Sequence, residues 1–302
     1  MEFRVLRYFL AIAREGSYTK AAQSLNVTQP TLSRQIKDLE AELGQPLFVR
    51  SAHAVTLTAA GYVLRKRAEE ILDIVGKTKA DFSSADDVSG DVYIGGGETQ
   101  GMRLIAAVIA DLRRDFPDIR FHLHSGNAED ITERLDKGLL DFGVLIQPTD
   151  LSKYASLSLP VKDVWGVLMN KNHPLAQKER VFSDDLTGIP LLCSKQLIQK
   201  RETDSLFKSL FGANFEKMNI IATYNLLFNA ALLAERNVGC VLCLDGLVDT
   251  MAVENIVFRP LSPTVESGLD VVWKKGQIFS PAAALFLNRL RETIALQQTT
   301  CV

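Results

Sequence analysis

Apolar residues recur at helical spacing from the start of the chain. Leu6, Phe9, Leu10 and Ala13 stand at i, i+3, i+4 and i+7, which predicts an amphipathic helix over 2–14. Gly16 ends it, and Ser17 is placed to cap a second helix over 18–25, where small Ala21 and Ala22 let another helix approach closely. Asn26 and Val27 make a short turn. Thr28 reads as the N-cap of a third helix, so Pro30 falls in the first turn, where no intrahelical N–H is lost. In that helix Leu32, Ile36, Leu39 and Leu43 follow i, i+4, i+7 and i+11 and are expected in a core. Gln29, Thr31, Ser33, Arg34 and Lys37 make the opposite, polar face. Gly44 closes the helix, and 46–50 and 55–57 read as two short strands around 51–54, a hairpin behind the helix pair.

The next segment is a long helix capped by Thr58 and running to about residue 79. Leu64, Ala68, Ile71 or Leu72, and Val75 repeat about every three and a half residues, flanked by Arg65, Lys66, Arg67, Glu69 and Glu70. That stripe is read as a two-stranded coiled coil, because the chain turns polar after it, with packing on the chain's own domain as the alternative. The polar run 81–90 then reads as a hinge. From Asp91 strands and helices alternate: a strand at 92–94, a helix at 101–115 with Leu104, Ile105, Val108, Ile109 and Leu112 inward, a strand at 119–124, a helix at 129–137 and a strand at 141–146. This βαβαβ run predicts a parallel sheet covered on both faces. After Pro160 a second series begins, with strands at 164–169, 191–193, 220–223 and 240–244 and helices at 183–186, 203–210 and 226–236. The chain returns through a strand at 269–273 and ends in a helix at 281–295. Two crossings between lobes predict a clamp of the periplasmic-binding-protein kind.

Length and composition add modest limits. The chain's 302 residues suggest two or three domains. No apolar run approaches the ~18 residues of a membrane span. Glu2, Arg4, Arg7 and Arg14 thread the first helix, which therefore does not read as a signal peptide. Four scattered cysteines give no disulfide framework and point to a reducing cytoplasm. The net charge of −2 conceals an asymmetry: residues 1–65 hold eight Lys/Arg against five Asp/Glu, so the remainder is net acidic. A basic N-terminal module on an acidic body fits a local polyanion contact.

Candidate chemistry comes from placement. Amide, hydroxyl and cationic groups at the start of an exposed helix suit reading of a DNA major groove, and the helix N-terminus favours a nearby phosphate. The candidates are Gln29, Pro30, Thr31, Ser33, Arg34 and Lys37, with Arg50 and His53 on the hairpin. In α/β sheets ligands sit beyond the carboxyl ends of strands, which selects Thr99, Gln100, Gln147, Ser194, Lys195, Tyr224 and Asn225. The N–H groups of Gly95–Gly101 suggest a small-molecule effector carrying an anionic group. That loop fails as a nucleotide motif, because Gln100 stands where GxGxxG needs its third glycine and Met102 where a Walker loop needs lysine. Cys240 and Cys243 have CxxC spacing, but residues three apart in a strand face opposite sides. His53, His122, His124 and His173 show no metal spacing, and no catalytic constellation is visible. The reading is of no enzyme, no cofactor and no metal.

Residues 6–61, LRYFLAIAREGSYTKAAQSLNVTQPTLSRQIKDLEAELGQPLFVRSAHAVTLTAAG, resemble the LysR-type transcriptional regulators nearly throughout. The order of segments in the remainder of the chain is similar too. The resemblance implies an α/β multidomain protein: an N-terminal winged helix-turn-helix (1–57), a linker and dimerisation helix with hinge (58–90), and a two-lobed effector-binding domain (91–302). Its lobe I is expected over 91–160 and 268–302, and lobe II over 161–267. It further implies that Gln29, Pro30, Ser33 and Arg34 lie against double-stranded DNA, that the hairpin is a wing at the minor groove, and that Thr99 and Gln100 touch effector. A homodimer or homotetramer joined through linker helix and effector domains is expected, in the cytoplasm and away from membranes. One departure stands out: His53 occupies a wing position where the family often has a second arginine.

Overall fold

The computed structural model describes residues 1–50, 55–81, 89–199, 211, 217–248 and 255–300. The chain divides into two compact units, Met1–Ser83 and Ser84–Val302.

The first unit is built from α1 (Phe3–Glu15), α2 (Tyr18–Ser24), α3 (Gln29–Leu43), a hairpin of β1 (Phe48–Arg50) and β2 (Val55–Leu57), and α4 (Ala59–Asp81). Thr28 is the N-cap of α3, its hydroxyl accepting from the Thr31 N–H at 3.4 Å, with Pro30 in the first turn. Gly16 and Gly44 end α1 and α3 in the left-handed conformation (φ 61° and 67°), which glycine adopts without steric cost. Leu6, Phe9 and Ile12 pack on Leu32, Ile36 and Leu39, and Phe9 and Tyr18 lie against the ring of Phe48. Leu43, expected in this core, is 41% exposed, because it sits in the last turn beyond the packed face. Glu40 was not anticipated as a strut: its carboxylate accepts from the Leu47 and Phe48 N–H groups at 2.8 and 3.3 Å and holds the hairpin to α3.

Helix α4 resolves one of the two readings of its stripe. Thr58 caps it, accepting from the Gly61 N–H at 3.0 Å while donating to the Pro46 carbonyl at 2.7 Å. Leu64 and Ala68 are buried in the core of α1–α3, with Ile71 and Leu72 against it. The first half of the stripe therefore packs on its own domain. Tyr62, Val63 and Ile74 are apolar residues that α4 leaves exposed.

The second unit is one continuous ten-stranded sheet in two halves, the main path running β4-β3-β5-β12-β6-β10-β8-β9. In the first half β3 (Gly90–Gly96) pairs in parallel with β4 (Ile119–Ser125) and β5 (Phe142–Ile146). Antiparallel β12 (Glu266–Lys274) and β6 (Tyr154–Asn170) complete it. Helix α5 (Met102–Asp115) and the final helix α9 (Pro281–Thr300) bury Ile105, Leu112, Phe286 and Leu290 with Phe142, while α6 (Ala128–Asp136) covers the other face through Ile131 and Leu135. In the second half, the end of β6 pairs with β10 (Cys240–Leu244) and β11 (Ile256–Ser262). Parallel β8 (Pro190–Ser194) and β9 (Asn219–Tyr224) come next, and β11 also carries short β7 (Val181–Phe182). Helices α7 (Lys195–Gln199) and α8 (Leu227–Glu235) succeed β8 and β9 along the chain.

Strand β6 is 17 residues long and passes through both halves, exchanging β12 for β10 and β11 near Val164 and Trp165. Pro160 does not end it. The β12 register shifts between Gly268 and Asp270, opposite residues 158–162, and proline is tolerated at such a bulge. The expected strands missed residues 154–161 and all of β11. The expected helix at 203–210 and the loop 51–54 lie outside the described residues. Among the described residues no helix is long and apolar enough to cross a membrane.

Candidate functional site

Two surfaces gather the expected residues, one in each unit. On α3, the buried set Leu32, Ile36 and Leu39 fixes which side turns outward. Gln29, Pro30, Thr31, Arg34 and Lys37 are exposed and Ser33 is half-buried. Arg34 and Lys37 have no ion-pair partner among the described residues. The Thr31 hydroxyl is engaged with that of Thr28 at 2.8 Å, so part of its capacity serves the cap. Arg50 ends β1, and His53 lies outside the described residues.

In the second unit a cavity of about 110 Å³ opens where the two halves of the sheet meet. Gln147, Ser194, Tyr224 and Asn225 line it, each at or just beyond the carboxyl end of a strand. Thr99, Gln100 and Lys195 do not. Thr99 is buried and donates to the Asp163 carboxylate. The Gln100 N–H donates to the same carboxylate at 3.2 Å, and its side-chain amide reaches the Gly246 carbonyl. The Gly101 N–H donates to the Thr99 hydroxyl at 3.1 Å. The loop that looked like an anion cradle thus already cradles Asp163, an anion of the chain itself. Lys195 opens α7 and points into solvent.

Several lining residues were not anticipated. Glu98 is half-buried, and its carboxylate accepts from the Leu227 N–H at the start of α8, across the cleft. Gln196 makes the reciprocal bond, accepting from the Ala128 N–H of α6 at 3.3 Å. Trp165 lines the cavity from the middle of β6, its indole donating to Ser267 at 2.9 Å. Glu98 adjoins a glycine-rich turn after β3, and the strand-end rule that selected Thr99 reaches it equally. Trp165 had no such signal, because β6 carries it to the cleft in mid-strand.

Burial dominates the titration of several groups in and beside the cavity. Burial pushes the Tyr224 phenol well up, and Cys243, Cys193 and Glu98 add to the effect; its hydroxyl donates to the Leu242 carbonyl at 2.7 Å. Burial likewise raises the Cys243 thiol, helped by Asp245 and Glu98, and pushes Cys193 up to about 12. Such thiols are protonated and unreactive. Cys240 and Cys243 sit in different cores on opposite faces of the sheet. Asp163 is raised chiefly by burial, against hydrogen bonds from Thr99 and Gln100, with Asp245 adding to the rise.

A helix pair with an exposed polar face, followed by a hairpin, and a separate two-lobed α/β unit with a cavity at the strand ends are the features of a DNA-binding module joined to an effector-binding one. Comparison with known proteins agrees. Residues 3–62 match the bacterial regulatory helix-turn-helix domain of the lysR family, and residues 85–295 match the LysR substrate binding domain. The chain belongs to the LysR family of DNA-binding transcriptional regulators, proteins that carry an effector-binding domain, oligomerise, and are not enzymes. It is 29% identical over 296 residues to the Hca operon transcriptional activator HcaR of Escherichia coli K12, covering 98% of this chain and 99% of that one. It is 35% identical over 196 residues, 64% of each chain, to a hydrogen peroxide-inducible genes activator of Pectobacterium carotovorum. Its fold is similar to that of crystalline CbnR, a LysR family regulator, with a TM-score of 0.72 at 20% identity over 97% of this chain and 99% of that one. CbnR complexed with its target DNA gives 0.70 at the same identity, over 97% of this chain and 100% of that one.

Proposed function

We propose that this regulator reads a specific DNA site with the outward face of α3 and responds to a small molecule held in the cavity between the two halves of its second unit. The observation that carries the first part is the opposition on α3. Three buried apolar residues pin the helix, while Gln29, Pro30, Arg34 and Lys37 are presented to solvent with half-buried Ser33 next to Arg34. Arg34 is suited to bidentate recognition of a guanine edge, and Ser33 to either partner of a base pair. Residues 1–57 form the DNA-binding part, 58–90 the linker, and 91–302 the effector part. Gln147, Ser194, Tyr224 and Asn225 are the effector contacts that the cavity supports. Exposed Tyr62, Val63 and Ile74 on α4 offer an apolar surface for a second copy, which would pair two recognition helices across a palindromic site. The site of action is the cytoplasm.

The test is fluorescence anisotropy on DNA fragments selected from the source genome. Arg34→Ala and Ser33→Ala proteins, shown to be folded and oligomeric, are expected to bind about tenfold to a hundredfold more weakly and with less sequence discrimination. Parent-like affinity and selectivity in both would remove the assignment. In the wing, His53→Arg places a permanent charge where histidine is mostly neutral. It is expected to raise affinity near pH 8, and an unchanged titration there would count against a groove contact at that position.

A further inference from the structure

We propose that the effector is a small cationic molecule, a protonated amine on a body of about one ring, and that Glu98 selects it. This rests on the cavity being the effector site. The charge balance of the wall is the first argument. Among the described residues Glu98 is the one ionisable carboxylate in the lining, and no lysine, arginine or histidine joins it there. The two candidates for an anion site, one cationic and one a set of neutral backbone donors, are both engaged elsewhere. Lys195 is exposed to solvent, and the N–H groups of Gln100 and Gly101 already serve Asp163 and Thr99.

The helix ends that could hold an anion are neutralised too. Leu227 at the start of α8 donates to Glu98 itself, and α6 begins with Glu129 and Asp130 in its first turn and has its Ala128 N–H on Gln196. Among the lining donors, the Trp165 indole and Tyr224 hydroxyl give their hydrogens to Ser267 and Leu242, and the Gln147 amide gives one to Asp270 at 2.7 Å. The second oxygen of Glu98 has no partner among the described residues. A carboxylate ligand would therefore meet a like charge and two aromatic side chains, with only neutral donors such as Ser194 and Asn225 to receive it. An ammonium would meet the Glu98 carboxylate and the aromatic side chains of Trp165 and Tyr224, a type of ring that attracts cations. The volume, about 110 Å³, is of the order that holds a single ring.

Thermal unfolding of the full-length protein with shape-matched probes tests this: benzylamine and cyclohexylamine, benzoate and cyclohexanecarboxylate, and neutral benzyl alcohol. The amines are expected to raise Tm by roughly 5–10 °C at a hundredfold excess over Kd, with the acids and the alcohol far weaker. Glu98→Gln keeps an oxygen for Leu227 and removes the charge; it is expected to weaken amine binding about tenfold or more. If that variant does not fold, Asn225→Asp, which adds a second carboxylate to the wall, is expected to tighten amines and not acids. Stabilisation by the acids equal to or above that by the amines overturns the charge assignment and leaves the cavity as the effector site. So does benzyl alcohol matching benzylamine. Amine binding undiminished in Glu98→Gln, or untightened in Asn225→Asp, removes the role of Glu98. No response to any probe of either sign overturns both the cation and the cavity.

Discussion

Asp163 shows how one side chain can displace an expected function. It is buried where β6 passes from one half of the sheet to the other, and it takes hydrogen bonds from Thr99 and Gln100. These are the two residues that the strand-end rule assigned to a ligand. The rule found the right loop, but sequence separation hid the partner, 64 residues away. Because burial raises its pKa above 3.8, the folded state binds this proton more readily than the unfolded chain. Its contribution to stability is therefore complete below about pH 4 and is lost as pH rises through the folded value. Asp163→Asn carries no such dependence. Urea unfolding of both proteins should show the variant gaining on the parent between about pH 4 and pH 7. A constant difference would mean that the carboxylate titrates normally. Asp91 works in the opposite sense. Burial opposes its ionisation, but His122 and Arg120 outweigh that and hold its carboxyl low, so its contribution is present above pH 3.8 and fades as pH falls through the folded value.

Among the elements, those with caps and clean periodicity were legible in the amino-acid order itself. The Thr28 cap, Pro30 and Gly44 mark α3 through local chemistry, and local chemistry is all that a helix end requires. Helix α4 was legible in extent but not in partner, since one apolar stripe serves an intramolecular or an intermolecular neighbour equally. Packing resolves this at Gly61, where a Cβ would collide with the Leu47 carbonyl. Gly61→Ala is expected to destabilise the N-terminal unit by about 1–3 kcal/mol, read as a lower unfolding midpoint. An unshifted midpoint would show that α4 does not dock there. Strand β6 was half missed, because Pro160 reads as a terminator until the bulge opposite it in β12 is known. Strand β11 has the same difficulty with Pro260, which sits in a strand that pairs with β6 on one side and only briefly with β7 on the other.

Across the molecule, two units with separate cores predict separable unfolding. Calorimetry of the full chain should resolve two transitions, and a fragment beginning at residue 84 should retain the upper or lower one unchanged. A single transition lost on truncation would show that the cores are interdependent. Composition and period were enough to specify the order of the modules, helix α3 with its polar face, and the alternating α/β body. Each of these arises from chemistry within a few residues of chain. The membership of the cavity was not accessible in that way. Glu98 meets Leu227 and Gln196 meets Ala128 only when the halves of the sheet are brought together by β6 and β12. The electrostatic character of a cleft is a sum over residues far apart in sequence, and only folding brings the contributors within a few ångströms of one another.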